Sequence, residues 1–242
     1  AHSYLICGPV GSGKHTLTRI LCAAMQCEGR GEKIPCGVCS GCRKALEGVH
    51  PDIITVDDPE HKSMTVEPIR AARSDMFIRP NEGKRKIYII PRGQDMNESA
   101  QNALLKILEE PPDYGVFLIL STNAERLLPT IRSRCAELRL GPVEQHEALP
   151  FLRQRMPDKP DGILRAAYLR AGGLLGQVLT LGDELFGMGL TLNTKATDKN
   201  AVNIEDAYAH VFNSKDLSDM TEVVFWKKYS IADGVIHNLS SN

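Results

Sequence analysis

The chain has 242 residues, 42% of them hydrophobic and 24% charged, which allows one large domain or two smaller ones with a sizeable core. That balance excludes wholesale disorder and collagen-like or low-complexity architecture, and no run approaches the roughly 18 apolar residues that a membrane-spanning helix requires. A formal net charge of −1 excludes a polyanion binder that works through overall charge, so any nucleic-acid contact must be local or shared with partners.

The sequence opens at Ala1 and is already an apolar run by Tyr4. There is no charged, apolar and cleavable leader, and a start so close to a central strand reads as a chain lacking upstream residues. Tyr4 to Cys7 is the first predicted strand. Gly8-Pro9-Val10-Gly11-Ser12-Gly13-Lys14-His15-Thr16 follows, close to the G-x-x-x-x-G-K-[ST] pattern in which backbone N–H groups cradle phosphates and a lysine neutralises their oxygens. His15 stands where a hydroxyl normally meets Mg²⁺, and imidazole is a poor ligand for a hard cation. Thr16 comes one residue late, and a helical step of about 100° turns its hydroxyl away. Mg²⁺ binding is expected to be weak, while the backbone cradle leaves room for weak ATP or ADP binding.

Cys27, Cys36, Cys39 and Cys42 fall within sixteen residues; Cys7, Cys22 and Cys135 are scattered among apolar neighbours and read as core. Four soft thiolates at x8, x2 and x2 spacing suit a closed, tetrahedral, structural Zn²⁺ site, with an iron–sulfur cluster or a redox pair as the alternatives. Seven cysteines do not make a disulfide framework, and clustered thiols point to a reducing compartment, the cytoplasm.

Ile53 to Val56, Ile87 to Ile90, Val116 to Leu120 and Ala136 to Leu140 read as further strands alternating with helical patterns, the signature of a parallel sheet covered on both faces. Ala100, Ala103, Leu104, Ile107 and Leu108 make an amphipathic helix that Pro111-Pro112 stops. The strand at Ile87 to Ile90 ends in Pro91-Arg92, where a hydrolysing site needs a carboxylate for the metal and one for the attacking water; Asp95 is the nearest downstream substitute. Arg70, Arg73, Arg79, Lys84, Arg85 and Lys86 are interleaved with Glu67, Asp75 and Glu82 and read as a solvated face. Ser121-Thr122-Asn123 closes the fourth strand, and the histidines show no metal-like pairing.

Beyond Gly141-Pro142 the apolar spacing turns helical: Ala148, Phe151 and Leu152, then Ile163, Ala166 and Ala167, then Leu174, Leu175 and Val178 around Gly172-Gly173. From Asp183 the composition shifts to nine acidic residues against five Lys and no Arg. The predicted organisation is an α/β domain over 1–141 with a zinc module at 27–44, a small helical domain over 142–182, and a mostly helical segment over 183–242.

Tyr4-Leu5-Ile6-Cys7-Gly8-Pro9, the four clustered cysteines, Gly48-Val49-His50-Pro51-Asp52, Asn102 through Pro112 and Thr130-Ile131-Arg132-Ser133-Arg134-Cys135 run in an order that resembles the bacterial clamp-loader AAA+ subunits. That family comprises the γ/τ motor subunits and the δ′ subunit of the DNA polymerase III holoenzyme. The resemblance covers residue 4 to about 180. It implies a RecA-like parallel sheet carrying the zinc module, a helical lid, a partial helical collar, and assembly with γ/τ and δ subunits to load a sliding clamp on primed DNA. It further implies that Arg134 is an arginine finger acting on a neighbour's ATP, that Ser121-Thr122-Asn123 holds the sensor, and that Gly176 occupies the place of a lid arginine that senses the γ-phosphate. His15, Pro91-Arg92 and Gly176 together side with the non-hydrolysing branch of the family, a stator. A working motor ATPase is the alternative, and a zinc-containing P-loop phosphotransferase unrelated to replication is the more distant one.

Overall fold

In the computed structural model, residues 2–29, 34–187, 229–232 and 235–238 are described. The chain divides into two compact units at Gly141/Pro142. The first contains β1 (Ser3–Cys7), α1 (Lys14–Met25), α2 (Ser40–Glu47), β2 (Ile53–Thr55), α3 (Val66–Met76), β3 (Lys86–Ile90), α4 (Glu98–Glu109), β4 (Gly115–Ser121), α5 (Pro129–Arg132) and β5 (Ala136–Arg139). All five strands are parallel, in the order β2-β3-β4-β1-β5. The five predicted strands are therefore present in one sheet. No helix among the described residues is long and apolar enough to cross a membrane.

The period-2 alternation of side chains divides the core between the two faces of the sheet. Leu5, Tyr88, Ile90, Phe117 and Ile119 pack on one face with Ile69, Met76 and Leu104 of α3 and α4. Ile6, Ile87, Leu118 and Leu120 pack on the other with Cys22, Ala23 and Ala45 of α1 and α2. Tyr88 and Phe117 stack across β3 and β4 with ring centroids 5.1 Å apart, an offset arrangement that aromatic quadrupoles favour. β4 is buried at every residue, as expected of a central parallel strand. α4 begins at Asn97, whose side chain accepts the Ala100 N–H at 2.8 Å, and its apolar stripe follows the predicted spacing.

The basic cluster does not form one solvated face. Lys86 is buried, and its Nζ meets the Asp75 carboxylate at 2.9 Å and the carbonyls of Asp75 and Ile78 at 2.9 and 3.2 Å. A cation there satisfies carbonyls at the C-terminal end of α3 and interacts favourably with the helix dipole. Lys44 pairs with Glu82, Arg70 with Glu67, and Arg85 donates to the Asp113 carbonyl.

The second unit contains α6 (Gln145–Arg155), α7 (Asp161–Arg170), α8 (Leu175–Gly187), β6 (Tyr229–Ala232) and β7 (Val235–Asn238). Ala148, Leu152, Ile163, Leu164, Ala167 and Val178 form its core. Phe151, expected on the apolar face, is instead exposed. The turn between α7 and α8 uses Gly172 and Gly173 at φ +57° and +79°, and a Cβ on Gly173 would press within 3.0 Å of the Val143 carbonyl oxygen. The helical reading of 183–242 applies to the end of α8 and lies otherwise largely outside the described residues. Where the chain is described again, β6 and β7 pair antiparallel, which departs from that reading. Tyr229, Ile231, Val235 and Ile236 supply strand-forming residues in the two strands.

Candidate phosphate loop, arginine surface and metal centre

The loop after β1 is built as a cradle. Gly11 and Gly13 adopt φ +83° and +89°, a left-handed backbone that glycine enters without steric cost, and α1 starts at Lys14 without a side-chain cap. Its first N–H groups therefore face the loop, the arrangement that binds anions at helix N-termini. Lys14 is buried and donates to the carbonyls of Gly8 and Pro9 at 2.6 and 2.8 Å, and burial holds its pKa below the ordinary lysine value. Ser12 Oγ is buried with no hydrogen-bond partner. Gly8 is confined on both sides, because a Cβ there would meet Ser12 Oγ and the Leu140 carbonyl at 2.6 Å. His15 and Thr16 are exposed.

At the end of β3, Arg92 is tied down by groups that the sequence reading did not single out. Its Nε donates to Asp57 Oδ1 at 2.9 Å, Nη2 lies 2.8 Å from the same carboxylate, and Nη2 also donates to the Asp58 carbonyl at 2.6 Å. Asp57 and Asp58 follow β2, so one guanidinium binds the loop of the neighbouring strand to the end of β3. Asp58 in turn accepts from Thr65 Oγ1 at 2.6 Å and Thr65 N–H at 3.2 Å, and pairs with His61 Nδ1 at 2.7 Å. Adjacent Asp-Asp before Pro59 with an arginine at the next strand end was the available signal. Asp95 lies in a 3-10 turn, Gly93–Asp95, where its carboxylate accepts from Gln94.

The Thr65 and His61 bonds hold the Asp58 carboxyl down at about 2. A depressed carboxyl contributes stability that is fully present above its unfolded pKa near 3.8 and is lost as pH falls through about 2. Asp58→Asn should therefore melt below wild type at pH 5 to 6, with the gap closing between pH 4 and 2. A gap independent of pH in thermal melts would show that the charge does not matter.

Ser121 closes β4 with its hydroxyl donating to the Asn123 carbonyl at 2.8 Å, while Gln94 Oε1 accepts the Thr122 N–H at 3.1 Å. Arg134 lies between α5 and β5, partly exposed. Its Nη1 donates to the Thr130 carbonyl at 3.0 Å and its Nη2 to Glu109 Oε1 at 2.9 Å. Gly176 is in α8, in the second unit.

Cys27, Cys36, Cys39 and Cys42 converge, with all four sulfurs within 4.8 Å of one another and those of Cys36 and Cys42 3.9 Å apart. A tetrahedral site with Zn–S bonds of about 2.3 Å separates its sulfurs by about 3.8 Å, so this donor set fits zinc. The Cys42 N–H points at Cys39 Sγ at 3.4 Å, and the N–H groups of Gly29 and Cys36 point at Cys27 Sγ at 3.4 and 3.5 Å. These bonds favour thiolates: the N–H groups of Glu28 and Cys42 bring Cys39 down to about 6, and those of Cys36 and Gly29 lower Cys27. Burial instead pushes Cys42 up to about 12, so a metal would have to displace its proton. α2 reaches this centre because Gly41 lies directly against the Gln26 carbonyl at the end of α1, where a Cβ would collide.

Residues 1–144 match the model of the family described as "DNA polymerase III, delta subunit". The chain belongs to this family. It is 34% identical over 174 residues to DNA polymerase III subunit delta' of Pseudomonas aeruginosa, covering 72% of the chain and 53% of that relative. It is also 31% identical over 192 residues to DNA polymerase III subunit tau of Escherichia coli K12, covering 78% of the chain and 30% of that relative. The chain thus spans about half or less of the length of these relatives. A solved single-residue variant of Thermotoga maritima RuvB aligns with a TM-score of 0.50 at 13% identity, covering 99% of this chain and 84% of that one. This likeness concerns the fold alone, a parallel sheet with helices on both faces.

Proposed function

We propose that this chain is a δ′-type stator of a bacterial clamp loader. It assembles with γ/τ motor subunits and a δ subunit, leaves its own phosphate loop without turnover, and presents Arg134 to ATP held by the adjacent motor subunit while a sliding clamp is loaded on primed DNA. The observation that carries this reading is the guanidinium at the end of β3: Arg92, bonded to Asp57, stands where hydrolysis requires carboxylates. His15 and Gly176 support it. Zn²⁺ held by Cys27, Cys36, Cys39 and Cys42 has a structural role, since a site with four thiolate ligands leaves no open position for chemistry.

Each residue has a defined task in this reading. The N–H groups of Gly11 to Lys14 and the Lys14 ammonium retain weak affinity for a di- or triphosphate, ATP or ADP, through the cradle alone. With no carboxylate at Pro91-Arg92, nothing on β3 accepts a proton from an attacking water. Arg134 stays charged and, at a subunit boundary, stabilises the negative charge that develops on the transferred phosphoryl group.

The isolated chain is expected to show no magnesium-dependent ATP turnover above that of a Lys14→Ala control. Turnover on the order of 1 s⁻¹, abolished by Lys14→Ala, would restore the motor alternative.

A further inference from the structure

Arg134 does not stand free. Its bond to Thr130 lies within its own turn, but its bond to Glu109 reaches a different element, because Glu109 is the last residue of α4. We propose that Glu109 is a positioning residue for Arg134: its carboxylate holds the guanidinium oriented for a phosphate presented by a neighbouring subunit. This inference rests on the trans-acting role of Arg134 and deepens it.

Three features carry it. An arginine side chain left free samples many rotamers, and ordering it at the moment of encounter opposes the interaction; an ion pair made beforehand removes part of that loss. The Glu109 carboxylate is 51% exposed, and it is the helix end that carries it which is anchored. Pro111-Pro112 ends α4 immediately beyond it, and at the other end of the helix the buried Gln101 accepts from Leu128 N–H at 2.8 Å and donates to the carbonyls of Met96 and Arg126 at 3.1 and 3.2 Å. The segment that leads into Arg134 is thereby bound to α4 near both ends of the helix. Finally, Glu109 and Thr130 engage two of the five guanidinium N–H groups, and the side chain is 37% exposed, so N–H groups remain for phosphate oxygens. An exposed pair of this kind is weak, which lets a doubly charged phosphate share the guanidinium without a large opposing cost.

The test uses the full chain assembled with motor subunits, clamp and primed DNA, reading DNA-stimulated ATP turnover against ATP concentration. Glu109→Ala should lower maximal turnover about three- to tenfold with little change in the half-saturating ATP concentration. Glu109→Gln, which keeps an acceptor oxygen, should recover at least half of the loss. Glu109→Ala combined with Arg134→Ala should fall no lower than Arg134→Ala alone, and Glu110→Ala, changing the adjacent carboxylate, should match wild type. Wild-type turnover in Glu109→Ala beside an impaired Arg134→Ala overturns the proposal and leaves the finger standing, as do additive losses in the double variant. Wild-type turnover in Arg134→Ala removes the finger and the proposal together.

Discussion

Cys42→Ser should abolish zinc binding and loosen the structure around α2. Cys42 is fully buried and belongs to the same core cluster as Ile6, Ala23, Leu118 and Leu120, so the variant loses a metal ligand and places a hydroxyl in an apolar core at once. Structural zinc sites in small peptides bind with an apparent 10–16 kcal/mol, roughly, all of which is folding free energy when no site exists in the unfolded chain. Only part of that is at stake here, since the other face of the sheet packs on α3 and α4 in a separate core cluster. Metal analysis should fall from one equivalent to near zero, and amide exchange should accelerate through α2 while the central strands β3 and β4 stay protected. Cys39→Ser, at a partly exposed ligand, should lose the metal with a smaller stability loss. Near-stoichiometric zinc in both variants would refute the assignment of the four thiolates as its ligands.

Asp52→Ala should destabilise the fold by about 2–4 kcal/mol, because three backbone donors converge on one buried carboxylate and each donor left unpaired costs about 1–3 kcal/mol before water compensates. Asp52 is 2% exposed. It accepts the N–H groups of Asn81, Glu82 and Gly83 at 2.5, 2.8 and 2.6 Å and thereby pins the loop that enters β3. Its own N–H donates to His50 Nδ1 at 3.1 Å, which fixes the His50-Pro51-Asp52 turn. Burial alone would raise this carboxyl; the three N–H donors outweigh it and hold the pKa below the ordinary aspartate value. The contribution is therefore present above the unfolded pKa near 3.8 and lost as pH falls below it. Asp52→Asn, which keeps one acceptor oxygen, should lose about half as much. Equal melting midpoints for Asp52→Ala and wild type at pH 7 would show that the loop is held by other groups.

These expectations also mark how far the amino-acid sequence can be read. The sheet was legible because β1 to β4 are short, largely apolar runs between turn residues, while the edge strand β5 alternates apolar with charged residues (Ala136-Glu137-Leu138-Arg139), and Pro111-Pro112 gave α4 a hard stop. The four cysteines were legible because ligand spacing is local. What escaped were contacts between elements distant in the chain: Arg92 with Asp57, Arg134 with Glu109, and Asp52 with residues 81–83 depend on which strand ends and helix ends lie side by side. Lys86 misled for the same reason, since a lysine in a charged run reads as solvated until the end of α3 is found over it. At the other extreme, Tyr229, Ile231, Val235 and Ile236 are strand-forming residues, a local signal that the helical reading of 183–242 passed over.

The central claim is that this chain's own nucleotide site is idle while its arginine works on a neighbour. It is tested most directly by comparing Lys14→Ala and Arg134→Ala, each assembled with intact motor subunits, δ subunit, clamp and primed DNA. Arginine fingers contribute about 10³ to 10⁵ in turnover where one site is measured alone, and one finger among several sites should count for less, about tenfold or somewhat more. Arg134→Ala should therefore lower DNA-stimulated ATP turnover and clamp loading about tenfold with assembly intact, and Lys14→Ala should leave both near wild type. The reverse pattern, with loss in Lys14→Ala and wild-type rates in Arg134→Ala, would contradict the account.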